Sequence, residues 1–317
     1  MAEQAAVLED RAEHDRDDDV AVVAVGAEIA PGYRVAEHLR RGDALDVYAV
    51  FSDERLCSCV AKVVRPDRAA VERVRRRLAQ EGFLLQTLTH PLLVRGLATF
   101  TQPEVVVIME TIPGPTLEEI IEDRASRLAA AELCHLGSQV AAAAHYLHQS
   151  GYLHLDVRPS NIVSHGGIAK LIDLSLARPA GPVPRGFGSH LYMSPEQATG
   201  SHVTEAADTW AIGATLYEAA AGIGPFDAHD AADAAVLDRD DYLQLRRPAP
   251  PLRRFGRRLP SGLAALIEAC LHPDPQLRPS ARAVWQGLQE VLTHLGPAEP
   301  AAPGLAPGQP VDGPASP

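Results

Sequence analysis

The residue types in this chain with the clearest chemical potential are two aspartates and one asparagine at short spacing. Residues 154–161 read His-Leu-Asp-Val-Arg-Pro-Ser-Asn, and Asp173 follows an apolar run further along. Phosphoryl transfer needs an aspartate that accepts the proton of an attacking hydroxyl, and an asparagine and a second aspartate that hold Mg²⁺. Asp156, Asn161 and Asp173 fit these three roles. The spacing therefore predicts a phosphoryl-transfer site, although Asp and Asn also favour turns for local hydrogen-bonding reasons.

Composition and charge restrict the class of protein. With 317 residues and 46% apolar content, the chain can bury one large core or two lobes that share an interface. The formal net charge of −12 argues against a general nucleic-acid-binding protein, and no apolar stretch is long enough to span a bilayer. The four cysteines form no C-x-x-C pair and no secretory signal precedes them. Reduced thiols, a cytoplasmic location and no zinc site are therefore expected.

Lysine is scarce in this chain. There are 27 arginines but only two lysines, Lys62 and Lys170. Where arginine is the default cation, a retained lysine indicates a position that needs a compact, flexible ammonium group instead of a planar guanidinium. Lys62 is therefore a candidate functional residue before any motif is considered.

The two ends of the chain are predicted to be extensions of one compact unit. Residues 1–28 are acidic and poor in aromatic residues, and residues 296–317 are dominated by Pro, Ala and Gly. Both compositions predict disordered tails. The compact unit is expected to span residues 29–295, with a smaller lobe to about residue 110 and a larger lobe over about 111–295.

The hydrophobic pattern changes from strand-like to helical along this unit. Runs of β-branched and aromatic residues predict strands at Val47–Phe51, Cys59–Val64 and Val105–Met109, of which the first two form part of an antiparallel meander. Apolar residues at helical spacing predict five helices. These lie at residues 67–88, 130–149, 204–221, 261–271 and 280–295. The apolar stripe of the last helix, which includes Trp285 and Leu295, is interpreted as core.

Taken together, these segments resemble the eukaryotic-like serine/threonine protein kinases of bacteria, from about Tyr33 to Leu295. The resemblance implies an α+β, two-lobed protein kinase fold, with a small N-terminal antiparallel sheet plus one helix and a larger, mostly helical C-terminal lobe. It implies ATP and Mg²⁺ as cofactors and a protein substrate that bears Ser or Thr. In that family a strand-borne lysine pairs with a glutamate on the following helix and contacts the ATP phosphates. Lys62 and Glu81 take these two roles.

The resemblance also assigns residues to the transferring phosphoryl group and to the nucleotide. Asp156 is the catalytic base, and Arg158 stabilises the moving phosphoryl group where the family has lysine. Asn161 and Asp173 are the metal ligands. The remaining nucleotide-binding residues come from the glycine-rich loop, the adenine slot and the interlobe hinge: Leu39, Gly42, Val47, Val60, Met109, Glu110 and Ile112.

Two distant pairings favour a protein substrate over a small molecule. Residues 188–196 resemble the segment that positions a peptide substrate, and Glu196 at its end is expected to pair with Arg278. Asp208 is expected to anchor the backbone of the catalytic loop. Such buried pairs are structural, and small-molecule phosphotransferases are not expected to show the Ser194-Pro195-Glu196 segment or its arginine partner.

The chain departs from the family pattern at its glycine-rich loop and at its metal-binding turn. Of the loop glycines only Gly42 is kept, so side chains stand where backbone should approach phosphate, and weakened or altered ATP binding is expected. Arg40 and Arg41 are interpreted either as cations that serve the nucleotide or as exposed turn residues. At the metal-binding turn, Leu174 is expected to fill the apolar slot of the family's phenylalanine. Ser175 replaces a glycine, which predicts a stiffer turn.

The usual device for phosphate-dependent switching is also missing. Leu155 stands where the family's arginine grips a phosphate on the activation loop, and residues 176–188 contain no Ser, Thr or Tyr. Because receptor and phosphate acceptor are lost together, we hypothesise that the active conformation does not depend on activation-loop phosphorylation. Three prolines in this loop, Pro179, Pro182 and Pro184, further restrict its backbone.

Three functions remain open on the sequence. The first is an active protein serine/threonine kinase, since all the residues with direct roles are present. The second is a pseudokinase that acts as a nucleotide-binding or scaffold module, which the eroded glycine-rich loop and Ser175 motivate. The third is a phosphotransferase for a non-protein substrate. No sensor domain is recognised, so a regulatory protein partner is expected.

Overall fold

A six-stranded antiparallel sheet forms the first part of the protein. In the computed structural model, the described residues are 20–123, 127–229, 231–237 and 241–295. The strands of this sheet are β1 (Glu28–Ala30), β2 (Tyr33–Arg41), β3 (Leu45–Ser52), β4 (Cys57–Val64), β5 (Gly96–Phe100) and β6 (Val106–Glu110). Their order is β1-β2-β3-β4-β6-β5. The predicted meander is therefore present. β6 pairs with β4, although a helix lies between these two strands in the chain.

Alternation along β4 decides which side chains reach the interior of the site. Cys59 and Ala61 are fully buried in an outer apolar cluster, together with Tyr48 and Val50 of β3. Because successive side chains point to opposite faces of a strand, Lys62 projects toward the other face. That face packs against the larger core of the molecule.

The helix between β4 and β5 is α1 (Glu72–Thr87). It begins five residues later than predicted, because Pro66–Arg68 forms a separate 3₁₀ turn. Leu78, Leu84 and Leu85 are buried against the sheet. Gly82 allows this close approach, since a Cβ there would lie 2.4 Å from Thr99 Oγ1 and 2.8 Å from Val107 Cγ2.

The second part of the described chain is mainly helical. Its helices are α2 (Leu117–Asp123), α3 (Ala130–Gln149), α4 (Pro195–Thr199), α5 (Glu205–Ala221), α6 (Ala231–Leu237), α7 (Ser261–Cys270) and α8 (Ala281–Leu295). The four longest match the predicted segments to within one residue. α3 packs against both α5 and α8, and α7 packs against α5. The two-lobed α+β architecture is thus confirmed.

The apolar stripe of α8 is only partly core. Val284 and Leu288 are fully buried, as predicted. Trp285 and Leu295 are 42% and 40% exposed, so their assignment to the core was wrong. Both lie at the margin of the buried stripe, where helical spacing alone does not separate the rim from the interior.

Two short pairs of strands hold the loops of the second part in place. β7 (Ile162–His165) and β8 (Ile168–Leu171) form a hairpin between the catalytic-loop residues and Asp173. β9 (Gly181–Pro182) pairs with β10 (His202–Val203) and thereby holds the activation loop against the start of α5. No helix among the described residues is long and apolar enough to cross a membrane.

The predicted N-terminal tail extended too far into the chain. Residues 20–28 are bonded to the sheet: Arg41 donates to the carbonyl of Val20 at 2.8 Å, and the Val23 N–H donates to the hydroxyl of Tyr48 at 3.0 Å. Composition missed this because the segment is held by contacts with distant residues. Residues 1–19 and 296–317, the rest of the predicted tails, lie outside the described residues.

Candidate active site

Lys62 lies between two carboxylates at the junction of the two parts. Its Nζ atom is 2.7 Å from Glu81 Oε1 of α1 and 3.1 Å from Asp173 Oδ2, which follows β8. The Glu81 side chain is fully buried, and among the described residues its other carboxylate oxygen has no hydrogen-bond partner. Lys62 compensates this buried carboxylate only in part, since burial still raises the pKa of Glu81 above its usual value. Lys62 thereby joins α1, β4 and the turn after β8.

The electrostatics of this cluster favour charged forms of Lys62 and Asp173. Burial alone would lower the pKa of Lys62, but the charges of Asp173 and Glu81 outweigh it and raise the pKa above its usual value. Burial would likewise raise the pKa of Asp173. The charge of Lys62 and hydrogen bonds from Ser175 outweigh this effect and hold that pKa well below its usual value. The cluster thus presents an ionised carboxylate and a fixed ammonium group at neutral pH.

The catalytic-loop candidates form one hydrogen-bonded group. Asp156 Oδ1 accepts from Ser189 Oγ at 2.6 Å, and Asp156 Oδ2 accepts from Asn161 Nδ2 at 3.0 Å. Arg158 Nη1 donates to the same Ser189 hydroxyl at 3.0 Å. Asp156 is held on both oxygens, with lone pairs left over for one further donor.

Asp208 of α5 fixes the backbone of the catalytic loop. This fully buried carboxylate accepts from the N–H groups of His154 and Leu155 at 2.8 and 2.7 Å, and from His148 Nε2 at 2.8 Å. Burial would raise the pKa of Asp208, but these hydrogen bonds and the neighbouring histidines outweigh it and lower the pKa. Leu155 has φ of 63°, a conformation that costs energy for a branched side chain and persists only where the surroundings impose it. Asp208 supplies that constraint.

The turn after β8 presents Asp173 in a similarly constrained backbone. Asp173 has φ of 67°, and its Oδ1 accepts from the Ser175 N–H at 3.0 Å. Leu174 is buried in the main core, so it fills the expected apolar slot. Arg77 of α1 reaches the same turn, with Nε donating to the Ser175 carbonyl at 2.9 Å and Nη2 donating to the Ser175 hydroxyl at 3.2 Å.

The donor set fits a magnesium ion. Mg²⁺ prefers oxygen ligands from one or two carboxylates together with substrate phosphates. Asp173 is an ionised carboxylate, and the amide nitrogen of Asn161 is engaged by the carbonyl and the carboxylate of Asp156. Within the described residues no hydrogen bond goes to the side-chain oxygen of Asn161, which leaves this oxygen available as a ligand.

The predicted adenine residues lie on strands that adjoin Lys62. Val47 of β3 is the cross-strand partner of Lys62, and Val60 of β4 is that of Met109. Met109 is buried in the core, which suits a residue at the back of a pocket. Ile112 packs against the same core from the segment after β6.

The tip of the β2–β3 hairpin differs from a flexible, glycine-lined loop. Arg65 Nη1 donates to the Gly42 carbonyl at 3.1 Å, and the Arg65 N–H donates to the Ala44 carbonyl at 3.0 Å, so the end of β4 pins the tip. Leu39 is 49% exposed on the edge of this hairpin. Arg41 pairs with the buried Asp46 at 2.9 Å, so its guanidinium fits neither of the two alternatives left open by the sequence, a cation for the nucleotide or an exposed turn residue. The Arg41 guanidinium lies on the face of the sheet opposite to the expected nucleotide site.

The peptide-positioning segment is tied into the helical part by the predicted pair. Arg278 Nη1 and Nη2 donate to Glu196 Oε1 and Oε2 at 2.7 and 3.0 Å. The same guanidinium also donates to the carbonyl oxygens of Ala206, His272 and Pro273. The pair therefore joins α4, α5 and the turn before α8.

Three contacts at this site were not predicted. They are the Arg77–Ser175 contact, the bond between Ser189 and Asp156, and an ion pair at 2.5 Å between Lys170 Nζ of β8 and Glu110 Oε1 at the end of β6. The scarcity of lysine singled out only Lys62, but the same signal applies to Lys170 and is the one that could have found the third contact. The other two join residues far apart in the chain, which no local pattern reveals.

Comparisons with known proteins agree with this geometry. Residues 33–288 match the model of the protein kinase domain family. The chain is 28% identical over 241 residues to a probable serine/threonine-protein kinase of Clostridium perfringens, covering 74% of this chain and 33% of that protein. It is 32% identical over 286 residues to serine/threonine-protein kinase pkn3 of Myxococcus xanthus, covering 84% of this chain and 51% of that protein.

A solved structure has the same fold. The crystal structure of the PknI kinase domain of Mycobacterium tuberculosis superposes with a TM-score of 0.65 at 26% identity, and the match covers 85% of this chain and 99% of that domain. The chain spans about a third to a half of the length of the two curated relatives above.

Proposed function

The chain belongs to the protein kinase domain family, and from that premise we propose that it transfers the γ-phosphoryl group of ATP to serine or threonine hydroxyls of protein substrates. The single observation that carries the proposal is the joint placement of five side chains. Lys62 is paired with both Glu81 and Asp173, while Asp156 is held next to Asn161. A pseudokinase that only binds nucleotide does not require all these contacts together.

In the proposed reaction, Asp156 accepts the proton of the attacking hydroxyl. The substrate oxygen forms a bond to the γ-phosphorus as the bond between that phosphorus and its bridging oxygen breaks, and ADP leaves with the bridging oxygen. Asp156 Oδ1 already accepts one hydroxyl, that of Ser189, at 2.6 Å. This carboxylate keeps lone pairs that can accept a second hydroxyl, that of the substrate.

The cations of the site act on the phosphates. Lys62, fixed by Glu81, would orient the nucleotide, and Arg158, fixed by Ser189, would face the charge of the moving phosphoryl group. Asp173 and Asn161 would hold Mg²⁺, which when bound neutralises phosphate charge. Ordering of these side chains before the substrate binds lowers the cost of reaching the transition state.

The proposal is tested by the rate of transfer of labelled γ-phosphate to a generic basic protein. Asp156→Asn is expected to lower kcat by about a thousandfold, the usual contribution of a positioned general base. Lys62→Met is expected to raise the KM for ATP as well, because it removes a phosphate contact. Asp53 is an exposed carboxylate in the turn after β3, so Asp53→Asn is the matched control and is expected to change neither constant.

The pseudokinase reading makes the opposite prediction. Folded wild-type protein that binds ATP in the presence of Mg²⁺, but transfers no more phosphate than Asp156→Asn does, contradicts the proposal. That outcome identifies a nucleotide-binding module instead.

A further inference from the structure

The contact between Arg77 and Ser175 links α1 to the turn that carries Asp173. The two residues are 98 positions apart, and the contact has two hydrogen bonds, to the carbonyl and to the hydroxyl of Ser175. Arg77 precedes Glu81 by one helical turn, so both side chains leave α1 on the same face. The turn is therefore reached from α1 twice, by Arg77 directly and by Glu81 through Lys62.

Two attachment points constrain a helix more than one. A single ion pair lets α1 rotate or slide about the Glu81–Lys62 contact, whereas a second contact one turn away opposes that motion. The hydroxyl of Ser175 supplies part of this second contact. A glycine at this position would leave Arg77 with the carbonyl alone.

The activation loop next to this turn is held without any charged modification. Leu155, in the catalytic loop, is buried in an apolar cluster with Leu153, Val183 of the activation loop, Val203 and Ala207. The β9–β10 pairing and mutual backbone hydrogen bonds between Leu153 and Arg178 fix both sides of the loop. No side chain that can be phosphorylated on a hydroxyl lies within residues 176–188. A phosphate within residues 176–188 therefore cannot attach α1 to the site, and the attachment must come from unmodified side chains.

We propose that the Arg77–Ser175 contact holds α1 against the Asp173 turn and so keeps Glu81, Lys62 and Asp173 together without a phosphate on the activation loop. Arg77 and Ser175 are positioning residues, because they act on the site through Glu81 and Asp173. The inference rests on the proposed phosphoryl transfer for its functional meaning. This Arg77–Ser175 contact, called the clamp below, is a property of the protein before any nucleotide binds.

The clamp is tested by hydrogen exchange of the α1 amides in the nucleotide-free protein. Arg77→Met removes both hydrogen bonds, and exchange of the amides over residues 78–85 is expected to rise roughly fivefold, the range for loss of a solvent-exposed charged contact. Arg76→Met is the matched control. Arg76 is the adjacent arginine of the same helix, 78% exposed, with a 3.7 Å contact to Glu72 one turn away. It is expected to leave exchange unchanged.

Kinetic measurements on the same variants separate positioning from folding. Arg77→Met is expected to raise the KM for ATP in the presence of Mg²⁺ by roughly fivefold, and Ser175→Gly by about half as much because the carbonyl contact survives. In the double variant the combined effect is expected to be smaller than the product of the two single effects, since both substitutions break the bond between Arg77 and the Ser175 hydroxyl.

The outcomes that oppose the clamp differ from those that oppose the function. Equal exchange in Arg77→Met and Arg76→Met, or effects of Arg77→Met and Ser175→Gly that simply multiply, overturn the clamp. A wild type that transfers no phosphate overturns the proposed function, and the exchange comparison in the nucleotide-free protein still decides the clamp.

Discussion

At the scale of single residues, the buried carboxylates of this protein differ in what compensates them. Glu81 and Asp173 share the ammonium group of Lys62, and Asp208 is compensated by backbone N–H groups and His148. Among the described residues, no cation is a hydrogen-bond partner of Glu218 of α5. Its Oε2 accepts from the Tyr192 hydroxyl at 2.7 Å, next to the peptide-positioning segment.

The Glu218 carboxyl should make stability depend on pH near neutrality. Burial, helped by the nearby charges of Asp227 and Glu118, raises the pKa of Glu218 to about 7 from an ordinary 4.5. A raised pKa in the folded state means that the stabilisation is present below the unfolded pKa and is lost as the pH rises through the folded one. Between pH 5 and pH 8 the free energy of unfolding of the wild type is expected to fall by about 2 kcal/mol relative to Glu218→Gln.

Urea denaturation at both pH values measures this difference. Glutamine keeps an oxygen that accepts from Tyr192 and cannot titrate, so its profile provides the reference. Parallel profiles for the two proteins would show that Glu218 is ionised and solvated in the folded state.

At the scale of elements, an apolar cluster holds the base of the activation loop. Leu155 is 2% exposed and packs with Val183, so the catalytic loop and the activation loop share a small core. Hydrophobic burial needs no modification to form, which agrees with the hypothesis that the loop is ordered without phosphorylation.

Replacing Leu155 by the family's arginine is expected to damage this protein. Leu155→Arg introduces a guanidinium into the apolar cluster, which is expected to lower the free energy of unfolding by about 3 kcal/mol. The transfer rate should fall as the loop loses its anchor. Leu155→Met, which conserves volume, is expected to cost less than about 1.5 kcal/mol. Chemical denaturation gives both values, and a Leu155→Arg variant as stable as the wild type would refute the role of the cluster.

Sequence patterns predicted the elements better than the contacts between them. The apolar repeat of residues 130–149 ends next to Gly151, and the helix has these bounds because local propensity and packing agree there. For α1 the pattern began too early, because Pro66 favours a separate turn. The pairs Lys62–Glu81 and Glu196–Arg278 were expected from the family resemblance. Arg77 and Ser175 were not paired in advance, because neither residue type is unusual at its own position and only the fold brings them together.

At the scale of the whole molecule, the two parts are joined on one side by Lys62 and on another by Lys170. Lys170 of β8 pairs with Glu110 at the end of β6, and that carboxylate also accepts from the Arg95 N–H at 2.9 Å. The only two lysines in the chain therefore both contact groups across this junction. The Lys170 pair lies where the resemblance places the hinge, and it restrains the orientation of Glu110, whose backbone is expected to face adenine.

Removing the second lysine should weaken nucleotide binding more than folding. The Lys170 and Glu110 side chains are 22% and 28% exposed, so the pair is expected to contribute at most about 1 kcal/mol to stability. Lys170→Met should raise the KM for ATP by roughly threefold with little change in kcat, as expected for loss of ground-state orientation. Lys170→Arg keeps the charge and is expected to retain most of the affinity. An unchanged KM in Lys170→Met would show that the hinge is set by its backbone alone.

The central claim is that this site transfers phosphate in the conformation described, with an unmodified activation loop. The most direct measurement is the time course of γ-phosphate transfer to a serine- and threonine-containing basic protein by enzyme first freed of all phosphate, with Asp156→Asn in parallel. Transfer by the wild type is expected to be linear from the first time point, with no lag, and Asp156→Asn is expected to give no signal above background. Equal background signal in both proteins, with ATP bound in the presence of Mg²⁺, would contradict this claim.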